Sequence, residues 1–265
     1  MTSYETIIVE RGTNGVATIT MNRPAVRNAF NAQLIDELEQ AFLSMNTFES
    51  TRVVVLRGAG DCFCAGADLN WMKASADLSL AENEEGARLM ACMFRAISDC
   101  TLPVIGVIHG HALGGGAGLV GAVDIALVAD EAKLGFTEVR LGIIPAVISP
   151  FVLRKVSETH ARRYFLSGEV FGGQEAERIG LAQKSMPRAE IEAECDKLIE
   201  SLLQCGPKAT GESKRLITEV KDLELADAIK KTAPWIAKLR ASKEGQEGMD
   251  AFLNKRRASW VETKK

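Results

Sequence analysis

The stretch Pro103–Val147, PVIGVIHGHALGGGAGLVGAVDIALVADEAKLGFTEVRLGIIPAV, constrains the fold most. A β-branched run, Val104–Ile108, breaks into three consecutive glycines and resumes as a small-residue helix. Short continuous apolar runs read as buried strands, and glycine supplies the backbone freedom that a tight strand-to-helix turn requires. The helix that follows begins with N–H groups lacking internal partners and carries partial positive charge, which suits it to an anion or a developing oxyanion. The glycine spacing matches neither the P-loop nor the dinucleotide fingerprint. Taken alone, such a triplet is most simply a packing device.

A second stretch shifts that reading. Arg57–Leu69, RGAGDCFCAGADL, repeats the design: the run Val53–Leu56 leads into a glycine-rich loop containing Ala65, Gly66 and Ala67. Two strand-to-loop junctions offer backbone donors, and two N–H groups converging on one oxygen form an oxyanion hole that stabilises an enolate-like intermediate. FCAGADL, GHALGGGAGL and DIALVADEAKLGFTEVRLGIIP together resemble the enoyl-CoA hydratase and isomerase family, the crotonase superfamily. The resemblance covers nearly the whole chain, from NRPAVRNAFN to AFLNKRR.

That resemblance implies an α/β, crotonase-like fold of repeated ββα units with a C-terminal helical region. Residues 1–188 would form the core with the coenzyme A and acyl site, and 189–265 a helical trimerisation region. It implies an acyl-CoA substrate, with coenzyme A part of the substrate and neither a separate cofactor nor a metal, and a homotrimer or homohexamer. It places the oxyanion-hole amides at Ala67 and Gly115, and coenzyme A contacts at Arg27, Ala65, Ala67, Asp68, Leu69, Phe252 and Lys255. The family's hydratases use two glutamates; here the first position is Gly118 and only the second, Glu138, is retained. A glutamate flanked by Phe136, Val139 and Leu141 has a carboxyl tuned by a partly apolar site, fit for general acid or base work.

One glutamate with an oxyanion hole also suffices for a Δ3,Δ2-enoyl-CoA isomerase, which shuttles one proton between carbons. A narrower resemblance, carried by GAGLVGAVDIA, EVRLGIIPAVISPFVL and SKEGQEGMDAFLNKRRASW, is to bacterial methylglutaconyl-CoA hydratases of leucine breakdown. It implies conversion of 3-methylglutaconyl-CoA to 3-hydroxy-3-methylglutaryl-CoA, with isohexenylglutaconyl-CoA of terpene breakdown as the related alternative. Both acyl groups carry a remote carboxylate, so Gly118 is expected to lower like-charge repulsion and leave room beside it, with Arg140 as a candidate cationic partner.

Composition bounds the alternatives. With 35 acidic against 32 basic residues and a formal charge of −3, nothing pulls the chain toward nucleic acid or anionic membrane. No run approaches the roughly 18 apolar residues of a membrane span, and Met1–Gly15 lacks the basic flank and apolar centre of a secretory leader, so a cytoplasmic location is expected. The six cysteines are scattered, and Cys62 and Cys64 have no second pair to complete a zinc site, so they read as reduced thiols. A hairpin is expected around Gly12–Gly15, a helix from Asn31, a polar cover loop over Asn70–Gly86, and almost only helix past Met186; the family resemblance implies that Trp71 and Met72 border the acyl pocket.

Overall fold

The structure, a computed structural model, describes residues 4–46, 50–75 and 77–261. Strands β1 (Ile7–Arg11) and β2 (Val16–Met21) form the expected antiparallel hairpin, and helix α1 (Ala32–Met45) follows. The Asn31 side chain caps α1 by accepting from the Leu34 amide at 2.9 Å, and Leu34, Ile35, Leu38, Ala41, Phe42 and Met45 form its buried face. Strand β3 (Val53–Gly58) is apolar on both faces because it lies inside a parallel sheet, between β2 and β4 (Val104–Ile108).

Between β3 and β4 run helices α2 (Leu69–Ser75) and α3 (Leu80–Ser98), so the stretch expected as a loop over 70–86 is largely helical. Its polarity belongs to exposed helix faces. Ser79 and Glu82 form a reciprocal capping box that starts α3, and Met93, Phe94, Ala96 and Ile97 bury its inner face against α1.

After β4 come β5 (His111–Leu113), α4 (Gly115–Ala122), β6 (Ile125–Ala129) and β7 (Lys133–Gly135), and a short 3-10 turn over Glu138–Leu141. Helices α5 (Ser149–Val152) and α6 (Glu158–Ser167), strand β8 (Val170–Phe171), helix α7 (Gly173–Arg178) and strand β9 (Lys184–Met186) complete the mixed part. The six-stranded sheet has the order β1-β2-β3-β4-β6-β9, parallel apart from the first pair. A second sheet, β5-β7-β8, stands beside it, and strands of the two interleave along the chain from β4 onward.

Helices α8 (Ile191–Gln204), α9 (Pro207–Val220), α10 (Leu225–Arg240) and α11 (Lys243–Leu253) close the chain. Of these, α8 lies on the large sheet, where Ile191 and Cys195 join Val53, Val55, Ile105, Val107 and Leu127 in a second core cluster. Ala251 is the one buried residue of α9–α11. Among the described residues no helix is long and apolar enough to cross a membrane, and all six cysteines are free.

Candidate active site

Two loops and the start of α4 meet around Phe30. The Phe30 amide donates to Gly66 O at 2.7 Å, and the Asp68 amide donates to Phe30 O at 2.9 Å, a parallel bridge centred on Ala67. The Ala67 amide itself has no acceptor among the described residues. On its other side, the Phe30 ring lies against Gly115, where a Cβ would stand 3.0 Å from Cε2. Gly115 is the first residue of α4, and its amide is likewise without an acceptor among the described residues. The loops are bonded to each other: the Leu113 amide donates to Cys64 O at 3.2 Å, and a side chain on Gly116 would collide with that same carbonyl.

Gly114 precedes α4 as its N-cap at φ 52° and ψ −120°, a positive-φ conformation that other residues enter at a cost, and donates its amide to Gly135 O at 2.9 Å. That bond draws the end of β7, and the turn after it, over the helix N-terminus. Glu138 opens the turn, and its Oε1 lies 3.5 Å from where a Gly114 Cβ would be. Its Oε2 is buried and has no hydrogen-bond partner among the described residues. Burial pushes the carboxyl above its ordinary 4.5, opposed only by the residue's own backbone amide. Native structures rarely leave a buried carboxylate oxygen unpaired, and functional sites are the usual exceptions.

Gly118 corrects one expectation. A Cβ there would collide with Ile148 Cγ2 and stand 2.9 Å from Phe94 Cζ, so the position leaves no room for an acyl carboxylate. The space is filled by apolar packing, continued by the Phe30–Phe94 and Phe94–Phe151 ring pairs at 6.2 and 5.6 Å. Gly118 therefore carries no chemistry of its own and acts only by admitting Ile148. Arg140 also differs from expectation: its Cγ and Nε lie 3.1 and 3.2 Å from the position of a Gly168 Cβ, so its stem runs along the end of α6, whereas Glu138 turns to Gly114.

The residues expected at coenzyme A fall into three groups. Arg27 is exposed at φ 54°, and its carbonyl accepts from the Ala65 amide at 3.0 Å, so Arg27, Ala65 and Ala67 share one edge of the site. Leu69 begins α2 and is 73% exposed beside them. Asp68 is committed to the fold: one oxygen accepts from the Asn70 amide at 2.8 Å and the other meets Arg23 at 2.9 Å, which together hold its carboxyl below the usual range. Phe252 and Lys255 belong to α11 and its end, which pack on α9 and α10, so contacts within one chain do not bring them to Glu138.

Sequence reasoning missed four residues here. Met90 reaches within 3.4 Å of a Gly115 Cβ, Phe30 and Phe94 back the helix, and buried Asn28 ties the Arg27 loop to the Ala59 and Cys62 carbonyls at 2.9 and 2.7 Å. The i, i+4 relation of Met90 to Phe94 on α3 was the signal available for that pair.

A family model described as Enoyl-CoA hydratase/isomerase matches residues 11–263. Crotonyl-CoA hydratase of Syntrophomonas wolfei is 33% identical over 98% of this chain and 99% of its own. The 2,3-dehydroadipyl-CoA hydratase of Escherichia coli is 31% identical over 91% and 93%. The solved structure of Pseudomonas aeruginosa AtuE superposes with a TM-score of 0.94 at 33% identity, covering 97% of this chain and 100% of that one. With fold, length and loop-to-helix geometry all in agreement, the chain belongs to the enoyl-CoA hydratase/isomerase family and is an enzyme of that family.

Proposed function

We propose that the protein adds water across the double bond of an α,β-unsaturated acyl-CoA thioester, and that its substrate is 3-methylglutaconyl-CoA, converted to 3-hydroxy-3-methylglutaryl-CoA in leucine breakdown. The observation that carries the reading is Glu138, a shielded carboxylate with one oxygen unpaired among the described residues, beside the helix start whose first amide likewise has no acceptor among them. The amides of Ala67 and Gly115 receive the thioester oxygen. The Glu138 carboxylate takes a proton from water as its oxygen bonds to the β-carbon, and electron density passes through the α-carbon to the thioester oxygen. When the carbonyl re-forms, Glu138 returns the proton to the α-carbon. One carboxylate thus serves both steps, and no charge is left over.

The glutaconyl preference is supported by charge and no longer by space. Gly118, covered by Ile148, puts no second protein carboxylate beside an acyl group that carries its own, and the Escherichia coli relative is named for a dehydroadipyl thioester, which also carries a free carboxyl. Isohexenylglutaconyl-CoA satisfies the same condition. The single carboxylate equally favours Δ3,Δ2-isomerisation as the second reading, because that reaction moves only one proton. Coenzyme A enters as part of the substrate, with Arg27 and, from a neighbouring subunit of a homotrimer or homohexamer, Phe252 and Lys255 as its partners. A cytoplasmic location follows from the same reading.

The test is kcat/KM for 3-methylglutaconyl-CoA, crotonyl-CoA and a 3-enoyl-CoA at one pH and salt concentration. We expect the first to be hydrated at least about tenfold more efficiently than the second, with poor isomerisation of the third. A preference for the 3-enoyl thioester would assign the protein to isomerisation, and equal use of the two hydration substrates would remove the glutaconyl assignment.

A further inference from the structure

We propose that Lys155 is a positioning residue for the oxyanion-binding end of α4, acting through the opposite end of that helix; the reading rests on the enoyl-thioester chemistry assigned above. Helix α4 is eight residues long with the sequence GGAGLVGA. Glycine is the poorest helix former after proline, and so short a helix does not hold itself together in isolation. Every residue from Gly116 to Ala122 is buried, so water is not at hand for the carbonyls of its last turn. The amide of Val123 caps Leu119 O at 3.1 Å. The Lys155 ammonium then takes two more carbonyls, Val120 O at 2.9 Å and Val123 O at 2.6 Å. A cation at a helix C-terminus also interacts favourably with the partial negative end of the dipole.

This clamp is held in place at a cost. Burial pushes the Lys155 ammonium down to about 8, Asp124 opposes that shift, and Lys214 adds to it. Asp124 is itself anchored by the Val104 amide at 2.8 Å and by Lys214 at 2.7 Å. Lys155 ends a segment laid along one side of α4: Ile148 meets Gly118, Val152 Cγ2 stands 3.1 Å from a Gly121 Cβ, and Lys155 closes on the last turn. Ile148 and Val152 seat in the notches left by Gly118 and Gly121, and the Lys155 bonds fix the last turn to the same segment, so the clamp sets where α4 sits along it. Any slide displaces the Gly115 amide and the Gly114 contact with Glu138.

Lys155→Met keeps the aliphatic stem and removes the donors. We expect kcat for enoyl-thioester hydration to fall about tenfold or more while KM stays within about threefold, with Lys155→Arg recovering most of the loss. Lys214→Met, which empties the other side of Asp124 without touching α4, is expected to leave kcat within about twofold. Wild-type kcat in Lys155→Met overturns the inference, as does a loss of the same size in Lys214→Met. If Lys155→Met does not fold, Lys155→Gln carries the same test, a lowered kcat at unchanged KM supporting the inference and a wild-type kcat overturning it. Hydrogen exchange of the 115–122 amides gives a readout independent of turnover: faster exchange in the variant is expected, and unchanged protection contradicts the clamp. A failure of the functional reading is distinct, since wild type would then turn over no enoyl thioester while the exchange contrast persisted.

Discussion

At Glu138 a carboxylate is half-buried beside a helix start, with one oxygen unpaired among the described residues, an arrangement that stability alone does not favour. Burial raises its carboxyl above 4.5, so folding prefers the protonated form. That contribution is complete below pH 4.5 and is lost as pH rises through the folded-state value. Glu138→Gln fixes the neutral shape, so we expect its Tm to exceed that of wild type by a few degrees at neutral pH, with the gain vanishing as pH falls toward 4.5. Thermal melts at several pH values check this; a variant less stable than wild type at neutral pH would mean that the carboxylate is paired in solution. In wild type, the acid limb of kcat is expected above the ordinary carboxylate range.

At the scale of the element, α4 shows what the sequence made legible and what it hid. The elements that carry Gly115, Ala67 and Glu138 were readable because each has a local signature: strand, glycine turn, helix, then a carboxylate in an apolar turn. The filling of the Gly118 position was hidden because Ile148 meets it through space from another segment, and no local pattern encodes that contact. The same holds for Asp68, where Arg23 arrives from a distant loop, and for Lys155, whose carbonyl partners Val120 and Val123 lie more than thirty residues away. The Asn70–Gly86 stretch failed differently, since polarity marks exposure and not the absence of helix. Gly118→Ala is expected to destabilise by about 1–3 kcal/mol through overpacking. Ile148→Ala opens the space, so the double variant should be more stable than the sum of the two changes, with a coupling of about 0.5–3 kcal/mol in denaturant melts. Additive effects would show that the two side chains do not share the space.

At the scale of the whole molecule, the outer helices carry apolar residues that nothing in one chain covers. Ile217 is 69% exposed, Leu225 75%, Ile229 58% and Phe252 83%, an arrangement typical of a contact surface. We expect sedimentation to give a multiple of three times 28.7 kDa, and Leu225→Glu with Ile229→Glu to dissociate it. A monodisperse monomer of wild type would contradict the trimer or hexamer. This exposed apolar surface was not readable from any single helix, because each has an ordinary amphipathic pattern and only their joint lack of burial marks it. Above all of this stands one chemical claim: that a single carboxylate, Glu138, moves the proton at the free end of α4. The measurement that bears on it most directly is single-turnover hydration of 3-methylglutaconyl-CoA by Glu138→Gln, with binding of coenzyme A measured on the same preparation. We expect the rate to fall at least about a hundredfold with binding retained; a folded variant that binds coenzyme A and hydrates at the wild-type rate would contradict the account.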